Sequence, residues 1–323
     1  MEKSDPSDVA RVIEVQRTGV TVRTFDADLR LPLGGKWFRD DTTERPTVGD
    51  WVHLDAARTQ ILHLFTRRNL LQRREVHSGA AQAIAANVDA LLIVTACNEE
   101  FNLSRLERYL ALAREAGVAP VLVLTKADLA DDLSRFVAPA QSLGADLSVV
   151  TVNAHDPAVI DQLKQWCGPG QTIALLGSSG VGKSTLLNTL AGNSLQRTGA
   201  ARASDERGRH TTSHRSLHVL PDGTLVIDSP GIRELGVIET AAEPEVVFDD
   251  LLALAANCRF SDCRHQAEPG CAVQGAIRDS ELDPRRLASF RKLQEESAAA
   301  RVREQMKPRT GRPRKGKLPP PSQ

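Results

Sequence analysis

Two stretches of the 323-residue chain carry residue types that do chemistry on phosphate and purine. GSSGVGKST (Gly177, Ser178, Ser179, Gly180, Val181, Gly182, Lys183, Ser184, Thr185) fits G-x-x-x-x-G-K-[ST] in full. Glycines at this spacing let the backbone curl until its N–H groups face a phosphate. The following helix N-terminus adds partial positive charge. Lys183 is expected to reach the β- and γ-phosphates and Ser184 to ligate Mg²⁺. TKAD (Thr125, Lys126, Ala127, Asp128) closes an apolar run. A carboxylate there accepts hydrogen bonds from guanine N1–H and its exocyclic amine. Adenine would leave it facing a lone pair. Lys126 is expected to lie along the base and brace the phosphate loop.

Two further segments fit the same pocket. Asp228-Ser229-Pro230-Gly231 matches D-x-x-G, in which the aspartate supports the Mg²⁺ shell and the Gly231 N–H senses the γ-phosphate. GRHTTSH, residues 208–214, lies where a first switch belongs, and Thr211 or Thr212 offers a hydroxyl to Mg²⁺. Asn153-Ala154 stands where a backbone amide can meet the guanine oxygen. The order is unusual, because TKAD precedes the phosphate loop by some fifty residues. A parallel sheet whose strands are joined in a permuted order keeps the same pocket. It also sends the chain from the second switch straight into the tail.

A separate chemistry lies at Cys258, Cys263, His265 and Cys271, a C-x₄-C-x-H-x₅-C pattern. Three thiolates and one imidazole complete a tetrahedral Zn²⁺ shell and leave no open position, so the expected role is structural. The other two of the five cysteines, Cys97 and Cys167, read as buried packing residues.

These loops need elements to hold them. Residues 1–75 read as short alternating strands, including DWVHLD and TQILHLF, with turns at Gly34-Gly35 and Gly49-Asp50. That pattern fits a small barrel of the OB or SH3-like type. FTRRNLLQRRE, residues 65–75, then forms a basic link. Residues 76–240 alternate strand and helix. ALLIVTA is a buried strand, and the next helix carries Leu103, Leu106, Leu110 and Ala113 and ends at Gly117. APVLVLTKAD, LSVVTVNA, TIALLG, HRSLHVL and GTLVIDSPG are further strands. DLSRFVAPAQSLG reads as a proline-interrupted helix, and Asp156-Pro157 as a helix start. The alternation predicts a parallel sheet covered by helices on both faces. Residues 241–323 read as helical around the cysteines, with a helix from Asp283-Pro284 that buries Leu287, Phe290 and Leu293.

Composition narrows the partners. Lys plus Arg and Asp plus Glu number 41 each, so there is no global field for nucleic acid. From Arg301 to Gln323, however, eight basic residues face a single acid, Glu304. This tail, the Arg67–Arg74 segment and the barrel are the three candidate RNA contacts. The barrel sequence lacks the aromatic set of many single-strand binders, so shape and backbone contacts are expected. MEKSDPSDVA has no signal-peptide pattern, and no apolar run reaches the ~20 residues of a membrane helix. The expected location is the cytoplasm.

The order TKAD, NA, GSSGVGKST, GRHTTSH, DSPG, followed by CRFSDCRHQAEPGC, resembles the circularly permuted GTPases of the RsgA (YjeQ/YloQ) family over nearly the whole chain. The resemblance implies three units: an OB-fold barrel, a permuted P-loop GTPase domain and a helical zinc-binding domain. It implies GTP and GDP as ligands with Mg²⁺ and one structural Zn²⁺; a monomer is the expected state. Its implied partners are the 30S ribosomal subunit and its 16S rRNA, with GTP hydrolysis stimulated by that subunit late in its maturation. The family usually has Asn where this chain has Thr125, which implies that one amide hydrogen bond near the base is missing here or is made by a hydroxyl instead. Ile232 follows DSPG where many G proteins carry a catalytic glutamine, and His214 matches the histidine proposed to orient water instead. A nucleotide-stabilised RNA-binding scaffold and a small-molecule kinase are the alternative classes. Phosphate release and GTP-against-ATP competition separate them.

Overall fold

A computed structural model describes residues 8–16, 18–38, 44–74, 81–192, 215–228 and 247–305. Among the described residues, five short strands build the first unit: β1 (Val9–Val15), β2 (Gly19–Arg23), β3 (Asp28–Pro32), β4 (Trp51–Leu54) and β5 (Ile61–Leu64). Period-2 alternation sends Ala10, Val12, Val20, Val22, Leu31, Val52, Leu54 and Ile61 into one apolar core. The pairing runs β3-β2-β1-β4-β5, all antiparallel, the order of a partly open OB-type barrel. Gly34-Gly35 leads into a 3₁₀ turn over Gly35–Phe38.

The barrel is not a detached bead. One edge of β1 is divided between two partners. Val9–Arg11 pair with β4, while Glu14 and Val15 pair with Ser216 and Arg215 of the central sheet. The segment read as a basic link is β6 (Leu70–Arg74), hairpinned with β7 (Ala81–Ala86). β7 has the sequence AQAIAA, whose alanines have weak strand propensity, so pairing and burial of Ala83, Ile84, Ala85 and Ala86 override local preference.

The central sheet comprises β8 (Ala90–Ala96), β9 (Ala119–Thr125), β10 (Ser148–Thr151), β11 (Thr172–Leu176), β12 (Arg215–Val219) and β13 (Leu225–Asp228). Their order is β10-β9-β8-β11-β13-β12. The first five are parallel, as expected. β12 is antiparallel to β13, because the short Pro221–Gly223 turn allows a hairpin but no crossover. The interleaved helices are α1 (Leu103–Glu115), α2 (Ser134–Gln141), α3 (Val159–Leu163) and α4 (Lys183–Leu190). Asn102 caps α1 by accepting from the Arg105 N–H, and Gly117 closes it at φ +68°. α2 runs through Pro139 without interruption. Asp156 accepts from the Ala158 N–H just ahead of α3, which starts at Val159, two residues later than the proline signal suggests.

Parallel strands buried on both faces read as near-continuous apolar runs, and ALLIVTA supplies one at every position but Thr95. Leu92 and Val94 face a core closed by Leu186 and Leu187 of α4. Leu91 and Ile93 face the opposite core, which Leu106 and Leu110 of α1 share with the C-terminal helices. These are α5 (Asp249–Ala255), α6 (Ala272–Arg278) and α7 (Pro284–Gln305). Leu287, Phe290 and Leu293 of α7 are buried there, as their spacing predicts, and Phe290 meets Phe248 edge-on at 5.5 Å. No helix among the described residues is long and apolar enough to cross a membrane.

Candidate nucleotide site and metal centre

The phosphate loop leaves the carboxyl end of β11, a fully buried strand, and enters α4, the strand–loop–helix context the motif requires. Two positions call for glycine, for different reasons. At Gly177 a Cβ would lie 2.2 Å from the Val94 carbonyl oxygen, an outright clash. Gly182 has φ +99°, a backbone conformation that side chains with a Cβ rarely adopt, and it sits in contact with the Thr125 side chain. Lys183 Nζ donates to the Gly177 carbonyl at 2.6 Å and also to the Ser178 carbonyl. The ammonium thus lies against the loop's own oxygens, in reach of any phosphate the loop encloses.

TKAD ends β9, two strands from β11 with β8 between them. Lys126 adopts φ +56°, and Ala127–Leu129 form a 3₁₀ turn that leaves the Asp128 carboxylate exposed. Thr125 is wholly buried. Its hydroxyl donates toward the Val181 carbonyl at 2.5 Å, with the Thr95 carbonyl at 3.1 Å. The hydroxyl thereby ties the base loop to the phosphate loop. The Asn153-Ala154 loop follows β10, and Ala127 N–H donates to the neighbouring Val152 carbonyl. Asn153 Oδ1 accepts from the His155 N–H, and Thr189 of α4 donates to the Ala154 carbonyl at 2.7 Å. The loops after β9, β10 and β11 therefore form one rim, although the chain visits them in permuted order. Asp228 closes β13, adjacent to β11. Thr211, Thr212, His214, Gly231 and Ile232 lie outside the described residues.

Sequence reasoning missed Arg105. Its guanidinium reaches from the first turn of α1 to the Ser178 hydroxyl in the phosphate loop, with Glu100 at 3.5 Å. No local signal marks this arginine, because its partner is 73 residues away.

Within the Arg67–Arg74 segment, the first two arginines have protein partners. Arg67 makes a bidentate pair with Asp50, both hydrogen bonds at 2.8 Å, and Asp50 is wholly buried. Arg68 pairs with Asp89 at 2.8 Å. Arg11 of β1 completes this junction by donating to Thr172 Oγ1 at 2.8 Å and to the Gly49 carbonyl at 3.3 Å. Burial holds the Arg11 pKa below its ordinary value despite the nearby acids. Arg11 and Arg68 tie the barrel unit to the sheet, while Arg67 pins the segment after β5 to the buried Asp50. The barrel also presents more exposed ring surface than its sequence suggested, at Phe25, Phe38 and Trp51. Of the basic tail, residues 306–323 lie outside the described residues.

The four predicted metal ligands converge. The donor atoms of Cys258, Cys263, His265 and Cys271 all lie within 4.8 Å of one another. His265 Nδ1 is 3.5 Å from the sulfurs of Cys258 and Cys271, which are 3.9 Å apart. Zn–S bonds of ~2.3 Å in a tetrahedron place two sulfurs about 3.8 Å apart, so the cluster fits a zinc ion. Gln274 and Arg291 each donate to the His265 carbonyl at 2.6 Å, which fixes the ligand loop. Burial holds the His265 pKa below its ordinary value against the opposing charge of Glu268, with Arg291 adding a smaller push downward, which favours the neutral imidazole. Cys97 and Cys167 stand apart from the cluster and are buried, as expected.

Comparison with known proteins agrees with this architecture. Residues 64–238 match the family model described as RsgA GTPase. The chain is 46% identical over 304 residues to "Small ribosomal subunit biogenesis GTPase RsgA" of Mesorhizobium japonicum, covering 92% of this chain and 86% of that one. It is 44% identical over 299 residues to "Small ribosomal subunit biogenesis GTPase RsgA 2" of Vibrio vulnificus, covering 92% and 84%. Among solved structures, YjeQ from Thermotoga maritima superposes with a TM-score of 0.64 at 25% identity, covering 90% of this chain and 98% of that one. YloQ, described as a circularly permuted GTPase, superposes at 0.61 and 22% identity, covering 96% and 99%. A permuted rim of nucleotide loops, an OB-type barrel and a Cys₃His cluster on one chain, matched at this identity over this length, make it a member of the RsgA GTPase family.

Proposed function

We propose that this chain hydrolyses GTP to GDP and phosphate during biogenesis of the small ribosomal subunit, with the 30S particle and its 16S rRNA as partner and activator. The observation that carries the reading is the Thr125–Val181 hydrogen bond, which joins a guanine-type base loop to a phosphate loop from an inverted chain order. Relatives named for that process, identical at 44–46% over most of their length, point the same way.

In this reading Asp128 selects guanine and Lys126 lies along the base. The N–H groups of Gly177 to Thr185 bind the phosphates, and Lys183 leaves its loop carbonyls to meet the β- and γ-oxygens. Ser184, Asp228 and Thr211 or Thr212 hold Mg²⁺, which when bound neutralises charge on the phosphates. Gly231 senses the γ-phosphate, and His214 orients the attacking water in place of the glutamine that Ile232 cannot supply. Cys258, Cys263, His265 and Cys271 hold one zinc ion, which braces the ligand loop against α6 and α7. The barrel (residues 1–75), the GTPase domain (76–240) and the zinc-binding domain (241–323) act as one monomer in the cytoplasm, where ribosomes are assembled.

The test is phosphate release from purified protein with and without 30S subunits. Turnover is expected to be slow alone and to rise by roughly tenfold or more with subunits. Equal rates would refute the reading, and subunit binding without any phosphate release would favour a scaffold. Lys183→Ala is expected to abolish hydrolysis and leave subunit binding largely intact.

A further inference from the structure

The first turn of α1 touches two things the proposed function treats separately. On one side Arg105 donates to the Ser178 hydroxyl, whose own carbonyl accepts from Lys183. On the other side Ser104 shares a 2.9 Å hydrogen bond with Ser289 of α7. Three residues beyond Ser104, Glu107 is almost fully buried, and its Oε1 accepts from Arg285 at 3.1 Å and Arg286 at 3.3 Å, both on α7. Arg286 is itself held by Asp250 of α5, at 2.5 and 2.6 Å, and by the Val247 carbonyl at 3.1 Å. A buried carboxylate needs its cations in place, so the position of α1 is set by the C-terminal helices.

We propose that Arg105 is a positioning residue of the nucleotide site. It holds the second residue of the phosphate loop, and the Glu107–Arg286–Asp250 cluster holds α1 in register for that hydrogen bond. Lys183 has to release the Ser178 carbonyl when it turns to phosphate. Arg105 binds the side chain of Ser178 and does not compete with that movement, so it keeps the loop shaped while the lysine is engaged. The inference rests on the guanine-nucleotide reading of the site and adds that the C-terminal module sets nucleotide affinity through α1.

The measurement is equilibrium binding of mant-GDP and mant-GTP to the full chain, with steady-state hydrolysis alongside. Arg105→Ala is expected to raise Kd and KM by about fivefold or more while kcat at saturation stays near wild type. Loss of folded protein would do the reverse, lowering apparent kcat at constant KM, and would overturn the proposal. A rise in Kd below fivefold would also overturn it. Arg105→Lys, which restores a cationic donor of similar reach, is expected to recover most of the affinity; recovery no better than alanine counts against the hydrogen bond. For the coupling, Arg286→Met is expected to raise Kd in the wild-type background and add nothing to Arg105→Ala. Fully additive effects would break the link through α1. Should Arg286→Met not fold, Asp250→Asn loosens the same guanidinium from its half-exposed side and is read the same way. Wild-type protein that binds neither nucleotide would sink the guanine reading itself, an outcome distinct from any of these.

Discussion

Thr125 and Val181 are 56 residues apart, and the threonine hydroxyl lies against the valine carbonyl, joining the base loop to the phosphate loop across one strand of the sheet. The threonine has no exposed surface, so water cannot substitute for the hydrogen bond. This buried link fixes the spacing of the two loops.

Thr125→Val keeps the shape and deletes the donor, leaving the Val181 carbonyl without its side-chain partner. The expected cost is about 1–3 kcal/mol of stability. GDP affinity is expected to fall with it while preference over adenine nucleotides persists, because Asp128 is untouched. Thermal melts and competition binding check both halves; a vanished base preference would return Thr125 to the base.

Arg67 separates a junction role from an RNA role. Arg67→Ala leaves the Asp50 carboxylate buried without its bidentate partner, which is expected to cost about 3–5 kcal/mol. Denaturant unfolding should register that loss. An RNA-binding role would instead leave stability unchanged and flatten the salt dependence of subunit binding.

Cys97 and Cys167 give a pH prediction. Burial raises the Cys97 pKa to about 11, and burial together with Asp222 raises that of Cys167 to about 12. Raised thiol values mean the protonated, unreactive form dominates at every pH below them. Native protein is therefore expected to resist iodoacetamide at these two positions at pH 8, and unfolded protein to react at both. Peptide mass spectrometry reads the outcome, and rapid native labelling at Cys167 would contradict its packing.

The Cys₃His cluster predicts one zinc per chain by elemental analysis. Structural zinc contributes roughly 10–16 kcal/mol to small modules, so chelation is expected to loosen the 258–271 loop and the helices beside it. Proteolysis after chelator treatment should cut there first. A protein that keeps full protease resistance with no metal bound would show that packing alone holds the loop.

Much of this was legible in the sequence. The phosphate loop, TKAD and the cysteine cluster are contiguous, and each demands particular residue types at fixed spacing, so a reader of residues finds them without coordinates. The buried strand ALLIVTA and the apolar face of α7 were visible for a related reason: periodicity is local. β7 was not, since alanine pairs as a strand only where neighbours enforce it. The antiparallel setting of β12 was missed because strand direction depends on connection length more than on composition.

Residue type and spacing along the chain were enough to read nucleotide chemistry, a permuted order and a cluster of four metal-ligating residue types. The roles of Thr125, Arg67, Arg105 and Glu107 needed the folded arrangement. A polar side chain buried away from water must find a partner, and that partner is whichever group the packed sheet and helices bring to it from distant parts of the chain. Arg67 and Arg68 look alike in the sequence, yet one is locked on a buried carboxylate and the other is largely exposed, a distinction that desolvation makes and local sequence does not record.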